Sequence, residues 1–252
     1  MTDLLALWPA AITPAGTWLV IVAVLIAGLI RGFSGFGSAM VMAPAFAIAM
    51  GPATGVPLLI LLDLLVAAVI LPPVLPRVAW RQVMPLSLGA LVVLPFGAHI
   101  LTVADEEILK RGTGLLILLF TGLMATGWRY HGRPALAVTL GTGAASGALT
   151  AATGVGGPPV ILFFVGRRGA QAAEIRAGLL AYFAFLSLGV IVTFMAFGLV
   201  TSIVLQLALW LFAPYALACW AGSRLFGHVS ETLFQRAVLV FVTAMAAWSL
   251  VG

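Results

Sequence analysis

Charge is what this sequence has least of. Only 8% of its 252 residues are Asp, Glu, Lys or Arg, where a soluble domain carries about a quarter. With a mean hydropathy of +1.22, such a chain cannot cover a water-facing surface, so it reads as an integral membrane protein. No stretch is long and polar enough for a soluble domain, and "MTDLLALWPA" at the amino terminus has no basic n-region, so no cleaved signal peptide is expected. The single cysteine, Cys219, excludes an internal disulfide and reads as a small buried filler. The twelve basic residues form no patch; they read as loop charges that fix topology, with no nucleic-acid partner.

Catalytic constellations are missing too. His99, His131 and His228 have no metal-ligand spacing, and no Ser-His-Asp order with a nucleophile elbow occurs. No two carboxylates share a helix face inside the membrane, since Glu106 and Glu107 sit at a loop. No catalytic residue, metal or cofactor is therefore expected.

What the sequence does have is apolar runs. A spanning helix needs about 20 residues, and six segments supply them: 53–75, 81–103, 107–129, 174–198, 201–221 and 232–250. Two pairs are shorter. The first, 17–30 and 38–50, is split by "RGFSGFG"; the second, 135–148 and 156–166, is split by "LTAATG". The expected fold is all-α and polytopic, with a broken helical hairpin followed by three transmembrane helices in each of two repeats, 1–130 and 131–252.

The halves also resemble each other. Gly28 and Gly32 of "GLIRG" recur 115 residues on as Gly143 and Gly147 of "GAASG", and Pro44 recurs as Pro159. Gly97, Glu106 and Arg111 recur at an offset of 125 as Gly222, Glu231 and Arg236. Basic loops at Arg77 and Arg81, 128–133, 166–176 and 224–236 read as cytoplasmic. They predict both termini outside and the two repeats inverted, a signature of secondary transporters that bind substrate near the midplane.

The breaks carry the candidate chemistry. Irregular backbone at membrane depth survives only inside the protein or beside a water-filled cavity. Gly35 and Gly37 permit a tight turn, Ser34 and Ser38 offer hydroxyls, and the half-helix that follows turns free N–H groups toward an anion. Arg31 adds a fixed charge, and Phe36 sits within the turn. Thr150, Thr153, Gly154, Gly156 and Gly157 match them in the second half, ahead of Pro158 and Pro159. Gly28, Gly32, Gly143 and Gly147 read instead as close helix packing. Asp63, in the middle of "PLLILLDLLVAAVILP", must pair, take a proton or face water. It is a candidate for proton coupling or a charge partner for Arg31.

"GLIRGFSGFGSAMVMAPAF" (28–46) and "SGALTAATGVGGPPVILFF" (146–164) resemble the breaks of the TauE/SafE family of membrane permeases. That resemblance implies a permease or exporter for small sulfur-containing anions, such as sulfite or organosulfonates, in the bacterial inner membrane. "SGFGSA" stands where many members carry a run of glycines. The expected function is a secondary transporter with the anion between the breaks and the lipid bilayer around it, in a monomer or homo-oligomer. A channel-like pore, or a membrane subunit or intramembrane enzyme without transport activity, are the alternatives.

Overall fold

The computed structural model describes residues 13–126, 135–165 and 171–225. In chain order the helices are α1 (Pro14–Ser34), α2 (Ser38–Met50), α3 (Pro52–Ile70), a 3₁₀ turn (Pro72–Arg77), α4 (Trp80–Val103) and α5 (Glu106–Ala125). α6 (Leu136–Thr153), α7 (Gly157–Val165), α8 (Ala172–Ala196) and α9 (Ser202–Leu225) follow. Among the described residues there is no strand. The helix expected at 232–250 lies outside them, as do His131, His228, Glu231 and Arg236.

Among the described residues six helices, α1, α3, α4, α6, α8 and α9, are long and apolar enough to cross a membrane. Their outward faces suit lipid. On α4, Leu88, Val92 and Phe96 recur every four residues and are exposed, while Leu86, Ala90, Leu94 and Ala98 on the opposite side are buried. The chain is a multi-pass membrane protein.

Two of the six depart from expectation, because the arm before each break is not short. α1 has 21 residues and runs through Arg31 and Gly32, so the first break is only 35–37. α6 has 18 and runs through Thr150 to Thr153. Only the arms after the breaks, α2 with 13 residues and α7 with 9, are short. The helix continues past Arg31 because that charge is neutralised by Asp63, described below, and so gives no reason to leave helical geometry.

The closest helix pairs exchange partners between the two parts of the chain: α1 lies along α9, and α4 along α6. Glycine makes both approaches possible. A Cβ on Gly32 would stand 1.9 Å from the Cys219 carbonyl oxygen, and one on Gly222 would stand 2.2 Å from that of Leu29. Across the other pair, a Cβ on Gly143 would meet the Leu86 carbonyl oxygen at 2.0 Å, and one on Gly97 that of Ala148 at 2.6 Å.

The two breaks are built alike, four residues out of step with the sequence match. Ser34 donates to the Ile30 carbonyl at 2.7 Å and accepts from the Phe36 N–H at 3.4 Å. Thr153 donates to the Leu149 carbonyl at 2.8 Å and accepts from the Val155 N–H at 3.2 Å. Left-handed glycines follow, Gly35 at φ 84° and Gly154 at φ 78°. Each donates its N–H back four residues, to Arg31 and to Thr150, at 2.8 Å. Gly35 to Gly154, like Ser38 to Gly157, is a step of 119 residues, where the sequence comparison gave 115. The spacing of small residues on these helices repeats every four residues, so it cannot distinguish one helical turn from the next; the helix ends can.

Candidate functional site

Arg31 sits in the last turn of α1 and Asp63 in the middle of α3, and both are buried, 1% and 5% exposed. They are the only buried charged residues among those described. Arg31 Nη1 meets Asp63 Oδ2 at 3.1 Å, and Nη2 reaches the Asp63 backbone carbonyl at 3.5 Å. Ser38, the first residue of α2, directs its hydroxyl to Asp63 Oδ1 at 3.0 Å and Oδ2 at 3.1 Å. Tyr215 on α9 donates its hydroxyl to Oδ1. Four helices therefore converge on one carboxylate. Of the two roles foreseen for Asp63, the geometry supplies a charge partner for Arg31.

Beside this network lies a cavity of about 30 Å³, room for roughly two or three water-sized groups. Both breaks line it. Arg31, Gly37, Ser38 and Asp63 come from the first part of the chain, and Thr150, Gly154, Gly156 and Gly157 from the second. The remaining candidates do not line it. Ser34 and Thr153 are engaged with their own helix ends, as described above. Gly35 faces Arg176, whose Cγ would lie 3.0 Å from an added Cβ, and Phe36 packs against the core.

The hydroxyl protons at the breaks are already committed. Ser38 gives its proton to Asp63. Thr150 gives its proton to the Ser146 carbonyl at 2.8 Å, and Ser146 gives its own to the Gly156 carbonyl at 2.6 Å, pinning the second break. What remains is backbone. Among the described residues no acceptor takes the N–H groups of Ser38 and Ala39 at the start of α2, or of Gly157 at the start of α7. Proline at 158 and 159 has no N–H to offer. Two helix N-termini, with their partial positive charge, thus border one cavity.

Three residues here were not foreseen. Ser187 on α8 lines the cavity, is 3% exposed and makes no hydrogen bond among the described residues; one hydroxyl in "FAFLSLGVIV" gives no sequence signal. Tyr215 in "APYALACW" looks like any packing aromatic. Arg176 reads as a topology charge, yet its Nη2 donates to the Gly32 carbonyl at 2.7 Å. There it caps the C-terminal end of α1, where a cation is favourable. Apolar lining comes from four helices, with Met40 on α2, Ile60 on α3, Ile161 on α7, and Phe183 and Leu186 on α8.

No curated protein and no solved structure matches the chain. A family model, described as the sulfite exporter TauE/SafE, matches residues 20–249 and so takes in both breaks, the buried ion pair and the cavity. With nearly its whole length matched, the chain belongs to the TauE/SafE sulfite exporter family, a family of membrane transporters.

Proposed function

We propose that the chain is a secondary transporter, acting as an exporter, for a small sulfur-containing anion such as sulfite or an organosulfonate. The observation that carries this reading is the cavity bordered by the unpaired N–H groups of two helix N-termini, α2 and α7. Such ends attract anions. The anion sits between the breaks, held by backbone N–H groups, while the Arg31–Asp63 pair and Ser38 fix the start of α2. The family membership supports the transport class and the type of anion.

The two halves are read as inverted repeats, each with a broken, re-entrant hairpin followed by three membrane helices. The 119-residue step between the breaks supports a duplication. So does the reciprocal pairing of α1 with α9 and α4 with α6, which a two-fold relation generates. Each half supplies one wall of the cavity, so rocking one against the other opens it to alternate sides. The setting is a bacterial inner membrane with both termini outside.

The test is flux in proteoliposomes holding the purified full chain. Saturable uptake of sulfite or methanesulfonate, accelerated by unlabelled anion on the opposite side, is the expected result. Conductance that never saturates would identify a pore instead. No movement of either anion would remove the transport reading.

A further inference from the structure

The charges around the cavity add up to a definite value. Among the described residues, Arg31 and Asp63 are the only charged ones that line it, and at 3.1 Å they cancel each other. Arg176 lies against Gly32 and Gly35 and is not among the lining residues. What positive potential remains comes from the N-termini of α2 and α7. Each helix end is equivalent to roughly +0.5 elementary charge, so the two together offset about one negative charge.

A ligand is indicated by more than the helix ends. Ser187, almost wholly buried, turns toward the cavity with a hydroxyl that has no hydrogen-bond partner among the described residues. That hydroxyl is a donor, and leaving such a group unpaired in a buried site is costly. An anion accepts from it, and a neutral apolar guest does not.

We infer, resting on the transport reading above, that the cavity selects a monoanion over a dianion, that Asp63 sets this limit, and that Ser187 is a direct contact to the anion. Among the described lining residues a second negative charge finds no compensating group, and an uncompensated buried charge is strongly unfavourable. The corresponding lining of α8 shows how local the effect is. Ile60 and Asp63 face the cavity from α3, three residues apart; Phe183 and Leu186 face it from α8 with the same spacing. One of these two otherwise similar walls carries a carboxylate and the other a leucine.

The experiment is calorimetric titration of the purified full chain with methanesulfonate and with sulfate at fixed ionic strength. The two share a sulfur oxyanion head and differ by one charge. The wild type is expected to bind methanesulfonate at least about tenfold more tightly than sulfate. Asp63→Asn adds one unit of positive charge and is expected to shift that ratio toward sulfate by about tenfold or more. Because the methyl group is the same in both proteins, the shift isolates charge. Ser187→Ala is expected to weaken both anions and leave their ratio unchanged. Sulfate binding as tightly as methanesulfonate in the wild type, or an unshifted ratio in folded Asp63→Asn, overturns charge selection while the anion site stands. Unaltered affinities in Ser187→Ala remove Ser187 as a contact. If neither anion binds the wild type, both the anion site and the inference fall. Should Asp63→Asn not fold, the wild-type ratio decides.

Discussion

Replacing Arg31 by alanine tests whether the buried pair holds the site together. The substitution removes the 3.1 Å contact to Asp63 Oδ2 and the 3.5 Å contact to its backbone carbonyl. It leaves a 5% exposed carboxylate with, among the described residues, only the Ser38 and Tyr215 hydroxyls. Removing one member of a buried ion pair costs about 3–5 kcal/mol. For a chain of this size, that corresponds to a Tm lower by roughly 6–20 °C. Asp63→Asn strands a 1% exposed guanidinium instead, with a cost of the same order. The double variant Arg31→Ala with Asp63→Asn strands no charge, so its loss should fall short of the summed single losses by about 1–3 kcal/mol. Thermal unfolding of the four proteins in one detergent completes the cycle. A double variant whose loss equals the sum of the singles would refute the coupling between Arg31 and Asp63.

Gly32→Ala should prevent assembly, because its Cβ would stand 1.9 Å from the backbone oxygen of Cys219 and 2.9 Å from the Ser223 nitrogen, neither of which can move without parting α1 from α9. Gly112→Ala, with nothing within 4 Å, should leave the size-exclusion profile unchanged; a normal profile for Gly32→Ala would contradict the packing. At the breaks, Gly154→Ala forces a side chain into φ 78° with ordinary space around it, a cost of about 1–2 kcal/mol. Gly35→Ala adds a 3.0 Å contact with Arg176 Cγ to the same strain at φ 84°, so it should lower Tm further than Gly154→Ala; the reverse order would mean that Arg176 does not rest on the break.

Both breaks were legible in the sequence because glycines clustered with hydroxyls weaken a helix inside an apolar run, and Asp63 stood out by its depth in its segment. The extent of the arms was not legible. An arginine in an apolar run reads as the end of a helix, whereas here the helix carries Arg31 to a partner 32 residues away in sequence. The register slip has a related cause. Gly28, Gly32, Gly143 and Gly147 all pack backbone to backbone, and residues four apart on a helix occupy nearly the same face. Only the left-handed glycines that end the helices distinguish adjacent turns. Ser187 and Tyr215 were invisible because a hydroxyl matters through what it faces, which composition does not record.

The exchange of helices between the two parts of the chain also has a consequence for biosynthesis. α1 begins at Pro14 and its long neighbour α9 at Ser202. At about 5–20 residues per second of synthesis, the glycine face of α1 waits on the order of 10–40 s for the surface it fits. Asp63 arrives within a few seconds of Arg31, so the charge in α1 can be neutralised while the first segments are entering the bilayer. Tyr215, which completes the carboxylate's hydrogen bonds, comes on the last described helix. By order of synthesis the ion pair is available to insertion, whereas the tyrosine's hydrogen bond has to wait for final assembly.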